Sequence, residues 1–123
     1  MHLGDPLCFV DDLKKFIEYI KEASNRYIIG VGDLINNNLI SSVGSPYDDI
    51  IRPSEQKYMM IDLLKPIADR VLVLVGGNHE RRTRKASDQD ITRDIAYALN
   101  VPYEEDDADI KVSFGKNSHG KPQ

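Results

Sequence analysis

Two apolar stretches, each followed by a glycine-containing polar run, constrain the fold of this chain more than any other feature. Residues 27–31 precede Gly-Asp-Leu-Ile-Asn at 32–36, and residues 71–75 precede Gly-Gly-Asn-His-Glu at 76–80. Short stretches of this composition predict strands, and the glycines predict that the backbone turns into a loop after each one. A helical pattern lies between them, so the sequence predicts a strand–helix–strand unit whose two strands are parallel neighbours.

The two polar runs carry side chains suited to metal binding. Asp33 and Asn78 are 45 residues apart, but parallel strands bring their carboxyl ends to one sheet edge, where open α/β sheets bind ligands. The Asp33 carboxylate can bridge two cations roughly 3.5–4 Å apart, and Asn78 adds a neutral amide oxygen. His79 is the natural proton donor or oxyanion stabiliser, since an imidazole changes charge near neutral pH. Glu80 fits better as an outer partner of the ligands or as the start of the next segment.

Composition narrows the class of protein. A chain of 123 residues predicts one domain with a modest core. The net charge of −4 argues against general nucleic-acid binding, because no basic surplus is present to neutralise a phosphate backbone. The single cysteine, Cys8, excludes an internal disulfide and fits a reducing compartment. With neither a membrane-length apolar run nor a secretory leader, the expected location is cytoplasmic.

Three helices are predicted from apolar side chains at helical spacing. The first is capped by Asp11 or Asp12, the second begins at Ser54 after Pro53, and the third begins with a capping box at Ser87 and Asp90. Their predicted inner faces are Leu13, Phe16, Ile17 and Ile20; Met60, Leu63, Leu64 and Ile67; and Ile91, Ile95, Ala98 and Leu99.

The remaining segments are predicted from composition. Residues 36–53 form a long loop beside the proposed site, and a lid role and a tolerated surface insertion are equally compatible with it. The acidic run 104–107 is predicted to be a solvated loop. Residues 110–114 alternate between apolar and polar side chains, which predicts a half-exposed final strand, and the polar tail 115–123 is expected to fray.

These runs resemble the signatures of a known family. Gly-Asp-Leu-x-Asn followed by Gly-Asn-His-Glu is similar to the second and third signatures of the calcineurin-like metallophosphoesterases, and His2-Leu3-Gly4-Asp5 resembles the end of their first signature. The likeness is greatest to compact bacterial and phage members. It implies an α/β fold, part of an α-β-β-α sandwich with mostly parallel strands flanked by helices. It also implies metal-dependent hydrolysis of phosphate esters.

The resemblance assigns a role to each matching residue. Asp33 bridges two divalent cations, Asn78 binds the second cation and His2 binds the first, while His79 contacts the scissile phosphate. The family uses manganese, iron, zinc or nickel, and the sequence does not choose among them. The partner is a phosphate-ester substrate, with phosphomonoesters, phosphodiesters, nucleotides and nucleic acids all left open, and no membrane is expected.

The sequence departs from the family pattern at both ends. No aspartate stands two residues before His2, and no downstream Gly-His-x-His motif follows. Residues 1–123 are therefore expected to form a single, incomplete domain that lacks the first strand and the carboxy-terminal half. Such a fragment is expected to be weak or inactive alone, and its exposed apolar face would favour self-association or a partner.

Several residues also have plain structural readings. Asp33 and Asn78 are common turn residues, and His2 beside the initiator methionine can belong to a disordered terminus. Arg81 and Arg82, in a basic run, can grip the substrate phosphate or lie in a solvated loop. Cys8 is expected to be a small buried hydrophobe and not a nucleophile.

At the level of function, the alternative to the enzyme is a non-catalytic binding module that keeps the fold. A nucleotide-binding module is disfavoured, because the sequence contains no glycine-rich phosphate loop of either common type.

Overall fold

A parallel sheet carries the loops of interest in the computed structural model, which describes residues 1–38, 51–113, 115–116 and 118–121. Within these residues its strands are β1 (Ile28–Val31), β2 (Val71–Val75) and β3 (Tyr103–Glu104), in the order β1-β2-β3. Ile29 lies opposite Val73, and Val31 lies opposite Val75. The predicted parallel neighbours are confirmed, and both polar runs leave the sheet at the same edge.

The helices have the order expected of crossover connections between parallel strands. Their bounds are α1 Val10–Lys21, α2 Pro53–Leu64, α3 Asn78–Ser87 and α4 Ile91–Leu99, and a 3₁₀ helix, Lys65–Arg70, follows α2. Pro53 is the first residue of α2, where a missing N–H is not needed. Asp90 caps α4 by accepting a hydrogen bond from the Arg93 N–H at 3.0 Å.

The core lies between the helices and one face of the sheet. Ile28 and Leu74 pack there with Met60 from α2 and Ile95 from α4. In β1 the alternate residue Val31 is 82% exposed, so the other face of that strand is uncovered in the part of the chain that the structure describes. The architecture is that of an α/β protein with a parallel sheet flanked by helices, as the sequence predicts.

Some predicted helix details are wrong. Phe16 is 44% exposed, and Ala98 is exposed while Ala96 is buried in its place. Asp11 and Asp12 lie inside the first turn of α1, whose N-cap is Phe9. The apolar pattern located these helices. It did not show which residues at the edge of each apolar stripe are buried by the elements packed against the helix.

Helix α3 was not predicted. The basic run after Gly77 contains no apolar stripe at helical spacing, and its predicted roles are a phosphate contact or a solvated loop. Its buried residues are Glu80 and Thr83, both polar. Ser87 is the last residue of α3, so the predicted capping box is wrong and Asp90 alone caps α4.

The third strand also differs from the prediction. It is formed by Tyr103 and Glu104, at the start of the acidic run, and it pairs with Leu74 and Val75 of β2. Residues 110–113 form no strand, since alternation alone does not provide a pairing partner. Phe114 and residues 39–50, which make up most of the long loop, lie outside the described residues, as do Asn117, Pro122 and Gln123 in the tail.

The hydrogen bond between Tyr103 of β3 and Asp90 can be tested through the pKa of Tyr103. Burial and the hydrogen bond that its hydroxyl donates to Asp90 raise the pKa of Tyr103 above its usual value. The folded state therefore favours the protonated phenol, and this stabilisation is present below about pH 10, the unfolded pKa, and is lost as pH rises further.

We expect Tyr103→Phe to lower the free energy of unfolding by about 1.5 kcal/mol at neutral pH and to weaken the decline in stability at alkaline pH. Urea unfolding across a pH series measures both effects. The control is Tyr97→Phe, since Tyr97 is 89% exposed. Equal alkaline slopes for wild type and Tyr103→Phe would contradict the assignment.

Candidate metal and phosphate site

The loop after β1 is held in an unusual backbone conformation. Gly32 and Asp33 have φ values of 81° and 48°, and this left-handed region costs Asp33, which has a Cβ atom, about 1–2 kcal/mol. Leu34 and Ile35 are 1% and 0% exposed, so they anchor the loop in the core. Asp33, 28% exposed at its side chain, remains at the surface.

The first three residues lie along this loop. The His2 N–H donates to the Asp33 carbonyl oxygen at 2.9 Å, and the Asn36 N–H donates to the Leu3 carbonyl oxygen at 2.9 Å. Leu3 and Ile35 form an isolated parallel bridge. His2 is therefore packed beside Asp33, with its Nε2 atom 3.9 Å from Asp33 Oδ2.

The first turn of α3 brings the second polar run to the same place. The His79 N–H donates to Asp33 Oδ1 at 3.1 Å. The side-chain NH₂ of Asn78 donates to the two carboxylate oxygens of Asp33 at 2.8 and 2.9 Å. A Cβ atom on Gly77 would lie 2.2 Å from the Asp33 backbone nitrogen, so only glycine allows this approach.

The imidazole of His79 is oriented by a main-chain carbonyl. Its Nδ1 lies 2.6 Å from the Asn36 carbonyl oxygen. Because a carbonyl can only accept, Nδ1 carries the proton, and Nε2 is the nitrogen left to bind or to accept. The rings of His2 and His79 meet edge to face, with their centroids 4.7 Å apart.

His2, Asp33 and His79 form the group of potential metal ligands among the described residues. One ligand atom from each lies within 4.8 Å of the others, and all three side chains are half-buried. Two of them, His2 and His79, line a cleft of about 330 Å³, whose other lining residues are Met1, Asp5, Leu7, Cys8 and Asn36. The structure thus brings together the four residues His2, Asp33, Asn78 and His79 that the sequence singled out.

Glu80 lies beneath this cluster and is 2% exposed. Its carboxylate accepts three main-chain hydrogen bonds, from Asp33 at 3.1 Å, Leu34 at 2.8 Å and Ile35 at 3.3 Å. This geometry agrees with a place outside the ligand group, as the sequence suggested.

Sequence reasoning missed the role of Asn37. Its N–H donates to Gln56 Oε1 at 2.9 Å, and its side-chain NH₂ donates to the His79 carbonyl oxygen at 2.9 Å and to Thr83 Oγ1 at 2.7 Å. Asn37 is 1% exposed and Gln56 is 0% exposed. The Asn-rich run suggested a loop, and no periodic pattern could have shown that these amides are buried.

The two arginines predicted to contact substrate lie on the exposed side of α3. Arg81 Nη2 is 2.7 Å from Asp106 Oδ1, and both side chains are substantially exposed. Neither Arg81 nor Arg82 lines the cleft beside His2 and His79. Contact between these arginines and a substrate stays a prediction.

Cys8 lines the cleft but shows no sign of activation. Its thiol donates to the Met1 carbonyl oxygen at 3.3 Å. Burial raises its pKa, although the nearby terminal amine opposes that shift. The thiol form is therefore favoured, which agrees with the expectation that Cys8 is not a nucleophile. The side chain is half-buried, and not fully buried as predicted.

Gly77→Ala tests the close approach of the two polar runs. Its added Cβ atom would meet the backbone of Asp33. We therefore expect the free energy of unfolding to be about 1–3 kcal/mol lower than in wild type. Urea titration measures this difference. Gly30→Ala is the comparison, since the nearest atom there, at 2.5 Å, is the end of the Leu74 side chain. Its loss should be smaller. If Gly77→Ala were as stable as wild type, the contact between the two loops would be looser than the structure shows.

Of the comparisons with known proteins, the one with protein-family models agrees with this geometry. No curated protein and no solved structure matches the chain. None of the described helices has the length and apolar character needed to cross a membrane. The family model of the calcineurin-like phosphoesterases matches residues 1–120 of the 123-residue chain. With its two polar runs meeting at one sheet edge, the chain belongs to the calcineurin-like phosphoesterase family, which points to metal-dependent hydrolysis of phosphate esters.

Proposed function

We propose that this chain binds two divalent cations through His2, Asp33 and Asn78, beside His79, and hydrolyses phosphate esters there. The observation that carries the proposal is the meeting of two imidazoles and a carboxylate within 4.8 Å at a surface cleft. These groups come from three separate segments. The His2 N–H donates to the Asp33 carbonyl oxygen, and the His79 N–H donates to the Asp33 carboxylate. Imidazole nitrogen and carboxylate oxygen suit the first-row transition metals.

The charge balance of the site favours a cation. Asp33 and Glu80 bring two carboxylates into adjoining positions. Among the ion pairs of the described residues, Asp33 pairs only with His2, and Glu80 appears in none. Main-chain N–H groups already compensate the charge of Glu80, so the half-buried carboxylate of Asp33 is the one that a bound cation would stabilise.

Asn78 also fits this interpretation. Its amide already lies within hydrogen-bond distance of both Asp33 oxygens. Rotation about the last side-chain torsion exchanges the NH₂ group for the oxygen, so the same amide can either donate to Asp33 or share a cation with it. Asn78 is exposed, and nothing in its described hydrogen bonding prevents this rotation.

The roles that we propose follow the family pattern. Asp33 would be the ligand common to both cations, His2 would help to hold the first and Asn78 the second, and manganese, iron, zinc and nickel are all compatible with this ligand set. When bound, the cations would polarise the phosphoryl oxygens and neutralise their charge. Arg81 and Arg82 are proposed to contact the outer part of the substrate, which requires Arg81 to leave Asp106.

His79 is proposed to act on the substrate itself. The Asn36 carbonyl fixes the ring orientation through Nδ1, so in the imidazolium form, where both nitrogens carry a proton, the Nε2–H points in one direction. From there it can stabilise charge on the phosphate or protonate the leaving oxygen. General acid catalysis of this kind contributes roughly 10²–10⁴-fold.

Asp33→Asn tests the cation site. It keeps the size of the side chain but removes the charge that attracts cations. We expect the affinity for Mn²⁺, measured by isothermal calorimetry, to fall at least about 100-fold. We also expect any turnover of p-nitrophenyl phosphate and bis-p-nitrophenyl phosphate to be lost. The control is Asp62→Asn on α2, because Asp62 is exposed and far along the chain from the cluster.

Two outcomes would count against this proposal in different ways. Equal Mn²⁺ affinity in wild type and Asp33→Asn would reject the metal site. Asp33-dependent binding without turnover of either ester would favour the non-catalytic binding module. Both experiments use the full 123-residue chain.

His79→Gln separates proton donation from metal binding. If His79 protonates the leaving oxygen, turnover should fall by about 10²-fold or more for phenyl phosphate and much less for p-nitrophenyl phosphate, whose leaving group needs little protonation. Mn²⁺ affinity is the second readout and should change less than it does in Asp33→Asn.

The control for His79→Gln is His119→Gln, because His119 lies in the exposed tail. Equal losses for the two esters would assign His79 to charge stabilisation and not to acid catalysis.

A further inference from the structure

We propose that Glu80 is a positioning residue whose carboxylate holds residues 33–35 in the conformation that binds cations. This inference rests on the proposed function, since it concerns how the same site is built. Glu80 belongs to α3, whereas the three N–H groups it accepts from belong to the loop after β1. One side chain thus connects the two polar runs of the site.

The two carboxylate oxygens of Glu80 accept different hydrogen bonds. Glu80 Oε2 accepts from Asp33, and Oε1 accepts from Leu34 and Ile35. Hydrogen bonds from main-chain N–H groups to a carboxylate are stronger than those to a neutral acceptor. Glu80 is also the third residue of α3, where the positive end of the helix dipole stabilises a negative charge.

The loop needs such an external support. The backbone of Asp33 is left-handed, with φ at 48°, and a residue with a side chain stays there only when its surroundings hold it. Since the N–H groups of three consecutive residues end on one carboxylate, loss of that carboxylate would free the loop to relax. The Asp33 side chain would then move away from His2 and Asn78.

The space around Glu80 fits glutamate better than glutamine or aspartate. A Cβ atom on Gly77 would lie 2.5 Å from Glu80 Oε2, so the carboxylate fills the room that this glycine leaves. Glutamine would place an NH₂ group against N–H donors and lose part of the contact. Aspartate keeps the charge but is shorter by one carbon–carbon bond, about 1.5 Å.

The test compares Glu80→Gln and Glu80→Asp with a matched control in the full chain. Glu55→Gln is the control, because Glu55 is also the third residue of its helix and is exposed. Mn²⁺ affinity is measured by calorimetry. We expect both Glu80 variants to bind Mn²⁺ about 10-fold to 100-fold more weakly than wild type, and Glu55→Gln to bind as wild type does.

A second readout separates positioning from general stability. Ile95→Val removes one buried methylene from the core, where Ile95 is 0% exposed, and lowers stability without touching the site. It should leave Mn²⁺ affinity unchanged. In the Glu80 variants, amide hydrogen exchange at residues 33–35 should accelerate more than exchange in β2.

Each outcome decides the question. Wild-type Mn²⁺ affinity in either folded Glu80 variant overturns the positioning role, while Asp33→Asn continues to support the metal site. If Glu80→Gln does not fold, Glu80→Asp decides alone by the same criterion. Equal affinity in wild type and Asp33→Asn removes the metal site, and the inference about Glu80 fails with it.

Discussion

The hydrogen bonds between the first turn of α3 and the loop after β1 determine where Asp33, Asn78 and His79 lie. Residues 33–35 leave β1 with their N–H groups directed at one buried carboxylate, that of Glu80. In the other direction, the His79 N–H and the Asn78 amide donate to the Asp33 carboxylate. Each polar run thus supplies acceptors for the donors of the other. Because such bonds hold only while both runs stay in register, the parallel pairing of β1 with β2 is a condition for the site.

This reciprocity explains why the glycines lie where they do. At Gly32, an added Cβ atom would come 2.5 Å from the Gly77 Cα, and at Gly77 it would come 2.2 Å from the Asp33 nitrogen. The two main chains touch at the sheet edge, and no side chain separates them. Gly32 additionally needs its φ of 81°, which residues with a Cβ atom rarely adopt. The close approach brings the Asn78 amide within hydrogen-bond distance of the Asp33 carboxylate, and one ligand atom each of His2, Asp33 and His79 within 4.8 Å of one another.

The sequence predicted this part of the structure because its signals are local. Apolar stretches located β1 and β2, and the glycine-containing runs after them located Asp33, Asn78 and His79 at one edge. Helix α3 escaped prediction because its buried residues, Glu80 and Thr83, are polar and interact with residues more than 40 positions away. Strand β3 escaped for a similar reason, since Tyr103 and Glu104 are strand residues only through pairing with β2. Contacts between distant segments produce no periodic pattern in the sequence. The residues that hold the site in place were therefore less predictable than the candidate ligands themselves.

The site contains one charged and one neutral hydrogen-bond acceptor, and the two serve different purposes. The buried charged acceptor, Glu80, is saturated by main-chain N–H groups, whereas the orienting acceptor of His79 is the neutral Asn36 carbonyl. A carboxylate in that second position would add negative charge beside Asp33 and would hold a proton on the imidazole more strongly. With a carbonyl there, ring orientation is fixed at no cost in charge. The charge of Glu80 thus stabilises the backbone beneath, while that of Asp33, half-buried beside His2 and His79, is the one left for the proposed cations.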